Sequence, residues 1–206
     1  MYEIQRCFIF SFRESLRRLK DCLIFASMKP VFLIGYMGSG KTTVGRELSA
    51  QLDCEFIDLD IFIENRYRKS IKNLFAEFGE ERFRLIEKHI LEEVCEFQQV
   101  VIACGGGTPC FFDNVETMKS HGTVIYFEVP VDVLFRRLTL PGSKAKRPVI
   151  ASKTDAELME FISRNIAERE PFYRRAHIVF DTTDIETAAS TKATAATLAR
   201  LLSLYL

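Results

Sequence analysis

What the chain has little of narrows its class first. Net charge is missing: 28 Lys+Arg balance 28 Asp+Glu over 206 residues. No overall field therefore draws the protein onto nucleic acid or an anionic membrane. Long apolar runs are missing too, and none approaches the roughly 18 residues a membrane-spanning helix needs. The six cysteines, at 7, 22, 54, 95, 104 and 110, form no C-x-x-C pair, and the three histidines stand apart from one another. That scatter excludes a disulfide framework and a zinc site, and predicts buried thiols in a reduced, cytoplasmic setting. Tryptophan is absent, which carries no functional message. Hydrophobic residues at 48 % exclude disorder, and the length suits one domain.

The first residues read differently from the rest. Phe12, Leu16, Leu19 and Leu23 fall at helical spacing among six basic and three acidic residues between Met1 and Lys29. An amphipathic helix over about 11–26 is one expectation, able to touch a membrane surface or a partner. The preferred expectation treats 1–28 as an extension, with Met28 the natural first residue and a complete domain over 29–206.

That domain opens with a phosphate loop. Pro30–Ile34 is a short apolar run of the kind a parallel-sheet strand buries on both faces. It leads into Gly35-Tyr-Met-Gly-Ser-Gly-Lys-Thr42, which fits G-x-x-x-x-G-K-[ST] at every fixed position. Thr43–Leu52 follows with helical spacing at Val44, Leu48 and Leu52. Backbone amides from Gly38 to Thr43, at a helix N-terminus, cradle nucleotide phosphates. Gly38, Ser39, Gly40, Lys41, Thr42 and Thr43 are thus the ATP-binding segment, Lys41 reaching the β and γ phosphates and Thr42 ligating Mg²⁺.

A switch GTPase needs D-x-x-G and N-K-x-D elements, and neither occurs. Instead Asp58 and Asp60 end a second strand, where residues two apart share a face. One carboxylate there can hold magnesium through water while the other meets an acceptor hydroxyl; a helix cap is the plainer alternative. Ser70 caps a segment that stops at Gly79, and a second helix carries Phe83-Arg84. On pattern alone Arg84 reads as a solvated arginine among Glu80, Glu81, Arg82, Glu87 and Lys88. A third strand, Val100–Cys104, ends in Gly105-Gly106-Gly107, an arrangement suited to backbone amides approaching a ligand.

Phosphate loop, Asp-Leu-Asp, Phe-Arg and Gly-Gly-Gly, in this order and spacing, resemble the shikimate kinase family from about Met28 to near the C-terminus. The resemblance implies an α/β fold of the nucleoside-monophosphate-kinase type: a five-stranded parallel sheet between helices, with a mobile lid over about 139–153. It implies transfer of the ATP γ-phosphoryl group to the 3-hydroxyl of shikimate, with Mg²⁺, on the route to aromatic amino acids. By motif position, Lys41, Asp60 and Arg147 are the catalytic residues and Asp58 is the outer-shell magnesium partner beside Thr42. Asp60, Arg84, Gly105, Gly106, Gly107 and Arg169 bind shikimate. Arg137 packs over adenine, and Arg147 swings from the lid onto the transferred phosphate. The chain departs from the family pattern at 181–185, which lacks an Arg-x-Pro, and in a longer stretch between Arg137 and Arg147. A monomer acting on ATP and shikimate, without nucleic acid or membrane, is the expectation; a gluconate-type kinase and a non-catalytic nucleotide switch are the alternatives.

Overall fold

The computed structural model describes residues 28–144 and 147–205, so the helix expected over about 11–26 lies outside the described residues. Five strands, β1 (Val31–Ile34), β2 (Glu55–Asp58), β3 (Val100–Ala103), β4 (Thr123–Glu128) and β5 (Ile178–Asp181), form one parallel sheet in the order β2-β3-β1-β4-β5. The central strand β1 registers Phe32 with Ile102 of β3 on one side and with Val124 of β4 on the other.

Alternation along β1 divides the core. Phe32 and Ile34 pack into one cluster, while Val31 and Leu33 pack into another on the opposite face. The second face is covered by helices α1 (Lys41–Leu52) and α8 (Ala188–Leu202), through Val44, Leu48, Ala195 and Leu198. The first takes α3 (Ile71–Cys95), α4 (Asn114–His121), α5 (Val131–Thr139) and α7 (Asp155–Tyr173). Met28 is 1 % exposed in the second cluster, and its carbonyl accepts from the Gln99 amide at 2.9 Å.

From β1 the chain crosses to β2 on the β3 side, while the strand on the other side of β1 is β4. In such open sheets the crevice lies beyond the strand carboxyl ends at that reversal. The phosphate loop occupies that place. Ser70 caps α3 by accepting from the Asn73 amide at 3.2 Å, and the helix breaks at Gly79 (φ 74°, ψ 172°), as the spacing predicts.

Two local expectations are corrected. Asp60 does not lie on β2: the strand ends at Asp58, which caps α2 (Leu59–Tyr67), and Asp60 sits in that helix's first turn. The stretch 139–153 is not wholly irregular, since α6 (Pro148–Ala151) forms within it and Ile150 is fully buried in the core. Its end is therefore anchored to the body of the protein.

Candidate active site

A cleft of about 680 Å³ opens along the carboxyl edge of the sheet. The phosphate loop forms its floor, with Asp58, Asp60, Gly105 and Gly106 at one end and Arg136, Arg137, Arg147 and Ile185 at the other.

Lys41 heads α1, preceded by Gly40 at φ 95°, a left-handed conformation that suits glycine. Its ammonium donates to the carbonyls of Gly35 at 2.7 Å and Tyr36 at 2.9 Å, so the loop's own backbone holds it. Burial pushes the Lys41 ammonium down from 10.5 to about 8, against the pull of Asp60. The Thr42 hydroxyl donates to Asp58 Oδ2 at 2.9 Å, and Asp58 Oδ1 caps the Ile61 amide at 3.4 Å. The helix-cap reading of Asp58 thus holds, and its other oxygen takes the Thr42 hydroxyl. Asp60 is half-buried, and burial, with Asp58 and Glu87 nearby, lifts its carboxyl from 3.8 to about 6.

Each of the three glycines faces a different side chain. A Cβ on Gly105 would stand 2.8 Å from Asp60 Oδ1, one on Gly106 would stand 3.5 Å from Arg169 Nη1, and one on Gly107 would stand 2.7 Å from Arg84 Nη2. Asp60, Arg169 and Arg84 therefore converge on one loop from α2, α7 and α3. Arg84, Gly107 and Arg169 are not among the residues that line the cleft itself.

Arg84 is not solvated as its neighbours suggested. Its side chain is 12 % exposed, Nη1 donates to Glu87 at 2.8 Å, and Nη2 meets Glu80 at 3.4 Å. Glu87, grouped on sequence with the exposed charges, is buried at 1 % and also accepts from the Thr108 hydroxyl at 2.6 Å. The signal was present: Glu87 falls on the Phe83, Ile90, Leu91, Val94 stripe. Tyr36 and Tyr173 were missed as well, since aromatic residues in a loop and at a helix end carry no motif. The Arg169 guanidinium lies 5.7 Å from the Tyr36 ring centroid, and the Tyr173 hydroxyl donates to the Gly106 carbonyl at 2.6 Å.

At the other end, Arg137 donates to the carbonyls of Gly38 (3.2 Å), Thr182 (2.8 Å) and Thr183 (2.7 Å). The Thr182 hydroxyl donates to the Ser39 carbonyl at 2.8 Å, so the loop after β5 is bound directly to the phosphate loop. Ile185 packs over Gly40, where a Cβ would come within 2.0 Å of its Cδ1. Arg147 is turned onto its own segment, donating to the Ser143 carbonyl and hydroxyl at 2.7 Å each.

The family model described as shikimate kinase matches residues 37–200. The chain belongs to the shikimate kinase family. It is 52 % identical over 154 residues to a shikimate kinase of Parabacteroides distasonis, covering 75 % of this chain and 88 % of that protein. A crystal structure of shikimate kinase from Bacteroides thetaiotaomicron matches with a TM-score of 0.83 and 43 % identity, over 86 % of this chain and 99 % of that one. Shikimate kinase from Acinetobacter baumannii in complex with shikimate matches with a TM-score of 0.74 and 30 % identity, over 89 % and 98 %. These matches agree with the shikimate kinase resemblance drawn from the motifs, and with the three-layer parallel fold.

Proposed function

We propose that the protein is a shikimate kinase, transferring the γ-phosphoryl group of ATP to the 3-hydroxyl of shikimate to give shikimate 3-phosphate and ADP. The observation that carries this reading is the loop Gly105–Gly107, against which a carboxylate and two guanidinium groups stand within reach of the phosphate loop. A rigid polyhydroxy carboxylate suits that set: Arg84 and Arg169 take the carboxylate, and Asp60 takes the hydroxyls.

Phosphoryl transfer asks mainly for positioning and charge stabilisation. The phosphate-loop amides and Gly38–Thr43 hold the polyphosphate, and Lys41 moves from the carbonyls of Gly35 and Tyr36 onto the β and γ oxygens. Arg137 and the segment carrying Thr182 and Ile185 border the base. Asp60 accepts the proton of the attacking hydroxyl, and Arg147 leaves Ser143 to neutralise charge on the transferred group. That movement, with closure of about 139–153, excludes water from the reaction.

The hydroxyl of Thr42 and the carboxylate of Asp58 are hard oxygen donors of the kind Mg²⁺ takes when it is shared with nucleotide phosphates. Bound there, Mg²⁺ would offset charge on the polyphosphate. The same reading takes residues 29–206 as the kinase domain and the enzyme as a cytoplasmic monomer, checked by light scattering on a sizing column. No helix among the described residues is long and apolar enough to cross a membrane.

The test is ADP release from ATP and Mg²⁺ with shikimate or gluconate as acceptor. Release that depends on shikimate and is absent with gluconate is expected. Release with gluconate alone would overturn the acceptor, and no release with either would favour a nucleotide switch.

A further inference from the structure

We propose that Phe111 is a positioning residue for the acceptor carboxylate, its ring face holding the Arg84 guanidinium in the plane that binds it. The proposal rests on the reading of Arg84 as a carboxylate ligand.

The Arg84 Cζ stands 4.1 Å from the Phe111 ring centroid, against 5.5 Å for Phe75 and 5.4 Å for Phe83. At that separation a guanidinium gains from the ring's electron-rich face and is held parallel to it by contact. Glu87 alone does not fix the plane, because its bond runs through one nitrogen, Nη1, at 2.8 Å. Nη2 has a weak partner, Glu80 at 3.4 Å, whose side chain is 63 % exposed. This is the donor an acceptor carboxylate would take over, and tilting the plane would move it away.

The ring comes with the rest of the enclosure. Phe111 follows the 3₁₀ turn Thr108–Cys110, whose Cys110 amide donates to the Gly107 carbonyl at 2.9 Å. Thr108 of the same turn donates to Glu87 at 2.6 Å. Gly107, the ring and the Glu87 anchor are therefore tied together around one guanidinium. The neighbouring Phe112 points elsewhere: it is 47 % exposed and meets Lys88 at 5.4 Å.

Phe111→Leu should raise the KM for shikimate roughly tenfold, with the KM for ATP and kcat moving less than about twofold. Phe111→Tyr keeps the ring face and should restore the wild-type KM. Phe111→Met replaces leucine if that variant is unstable, and Phe112→Leu is the control expected to change nothing. An unchanged shikimate KM in Phe111→Leu, or equal impairment in the leucine and tyrosine variants, would overturn the proposal. So would parallel rises in both KM values, which indicate general loosening. A wild-type enzyme inactive on shikimate sinks the functional reading first and this inference with it. An active wild type with an indifferent Phe111→Leu sinks this inference alone.

Discussion

Asp60→Asn should make the protein more stable and nearly inactive. The Asp60 carboxyl is lifted from 3.8 to about 6 by burial first, then by Asp58 and Glu87, against the pull of Lys41. The folded protein therefore holds the proton more tightly than the unfolded chain does. As pH rises from 3.8 through about 6, the native state binds more protons than the unfolded state, so stability falls across this window and the loss persists above it. At pH 7 the ionised group costs about 3 kcal/mol. Asparagine has nearly the same shape without the charge, but its amide is itself polar and loses some of its water on burial. A net gain of about 2 kcal/mol remains, which for a chain of this size corresponds to roughly 4–8 °C in Tm. Urea unfolding of wild type and variant at pH 7 and pH 4 measures it. The difference should be largest at pH 7 and mostly vanish by pH 4, where the folded carboxyl is protonated and the unfolded one is only about half ionised. In parallel, kcat with shikimate should fall by a factor on the order of 10² to 10⁴, as for loss of a general base. A variant less stable than wild type at pH 7, or a gain equal at both pH values, would show that desolvation does not govern this carboxyl. Undiminished kcat would remove Asp60 from the chemistry.

Burial pushes the Lys41 ammonium down to about 8, and phosphate oxygens would raise it again. ADP binding at pH 8 should therefore take up about half a proton, read as a buffer-dependent enthalpy by calorimetry; equal enthalpies in Tris and phosphate would contradict this. Glu87→Ala leaves the Arg84 guanidinium, 12 % exposed, without its main carboxylate partner. Expected are a loss of about 3 kcal/mol in urea unfolding and a raised shikimate KM, and a neutral variant would mean the pair is dispensable. Arg137→Ala removes three bonds to carbonyls that join the loop after β5 to the phosphate loop. A loss of about 2 kcal/mol with a higher KM for ATP and an unchanged KM for shikimate should follow, and a shift in the shikimate KM instead would place Arg137 at the wrong end of the cleft.

What the sequence made legible is the part written in local patterns. The phosphate loop, the strand runs and Ser70 with Gly79 each impose a backbone shape where they stand, and each is found there. The carboxylate pair was read with the right residues and the wrong geometry. Asp58 acts as a helix cap and ends the strand two residues earlier than alternation suggests, so Asp60 reaches the cleft from a helix. Arg84 and Glu87 were misread for a different reason. A charge on a helix looks alike in sequence whether it faces water or a partner brought by another segment, and the partner here, Thr108, is 21 residues from Glu87. The tie between Arg137 and Thr182 spans 45 residues and lies in a loop without a motif, so no local pattern announces it.

The hydrogen-bond partners of the cleft's cations show what these charges cost the fold. Lys41, Arg137 and Arg147 spend their donors on the protein's own oxygens: carbonyls of the phosphate loop and of the loop after β5, and Ser143. Burial disfavours the charged form of all three. Carbonyl oxygens carry only partial charge, so they satisfy hydrogen bonds without repaying the desolvation of a full cation. A polyphosphate does repay it, and its charge grows nearest the reacting bond as transfer proceeds. Asp60 is the same case with the sign reversed, a carboxylate kept dry until a hydroxyl supplies a proton. The buried charges of Lys41 and Asp60 are therefore those whose interactions strengthen in the complex, and stability gained by neutralising either should be matched by lost turnover.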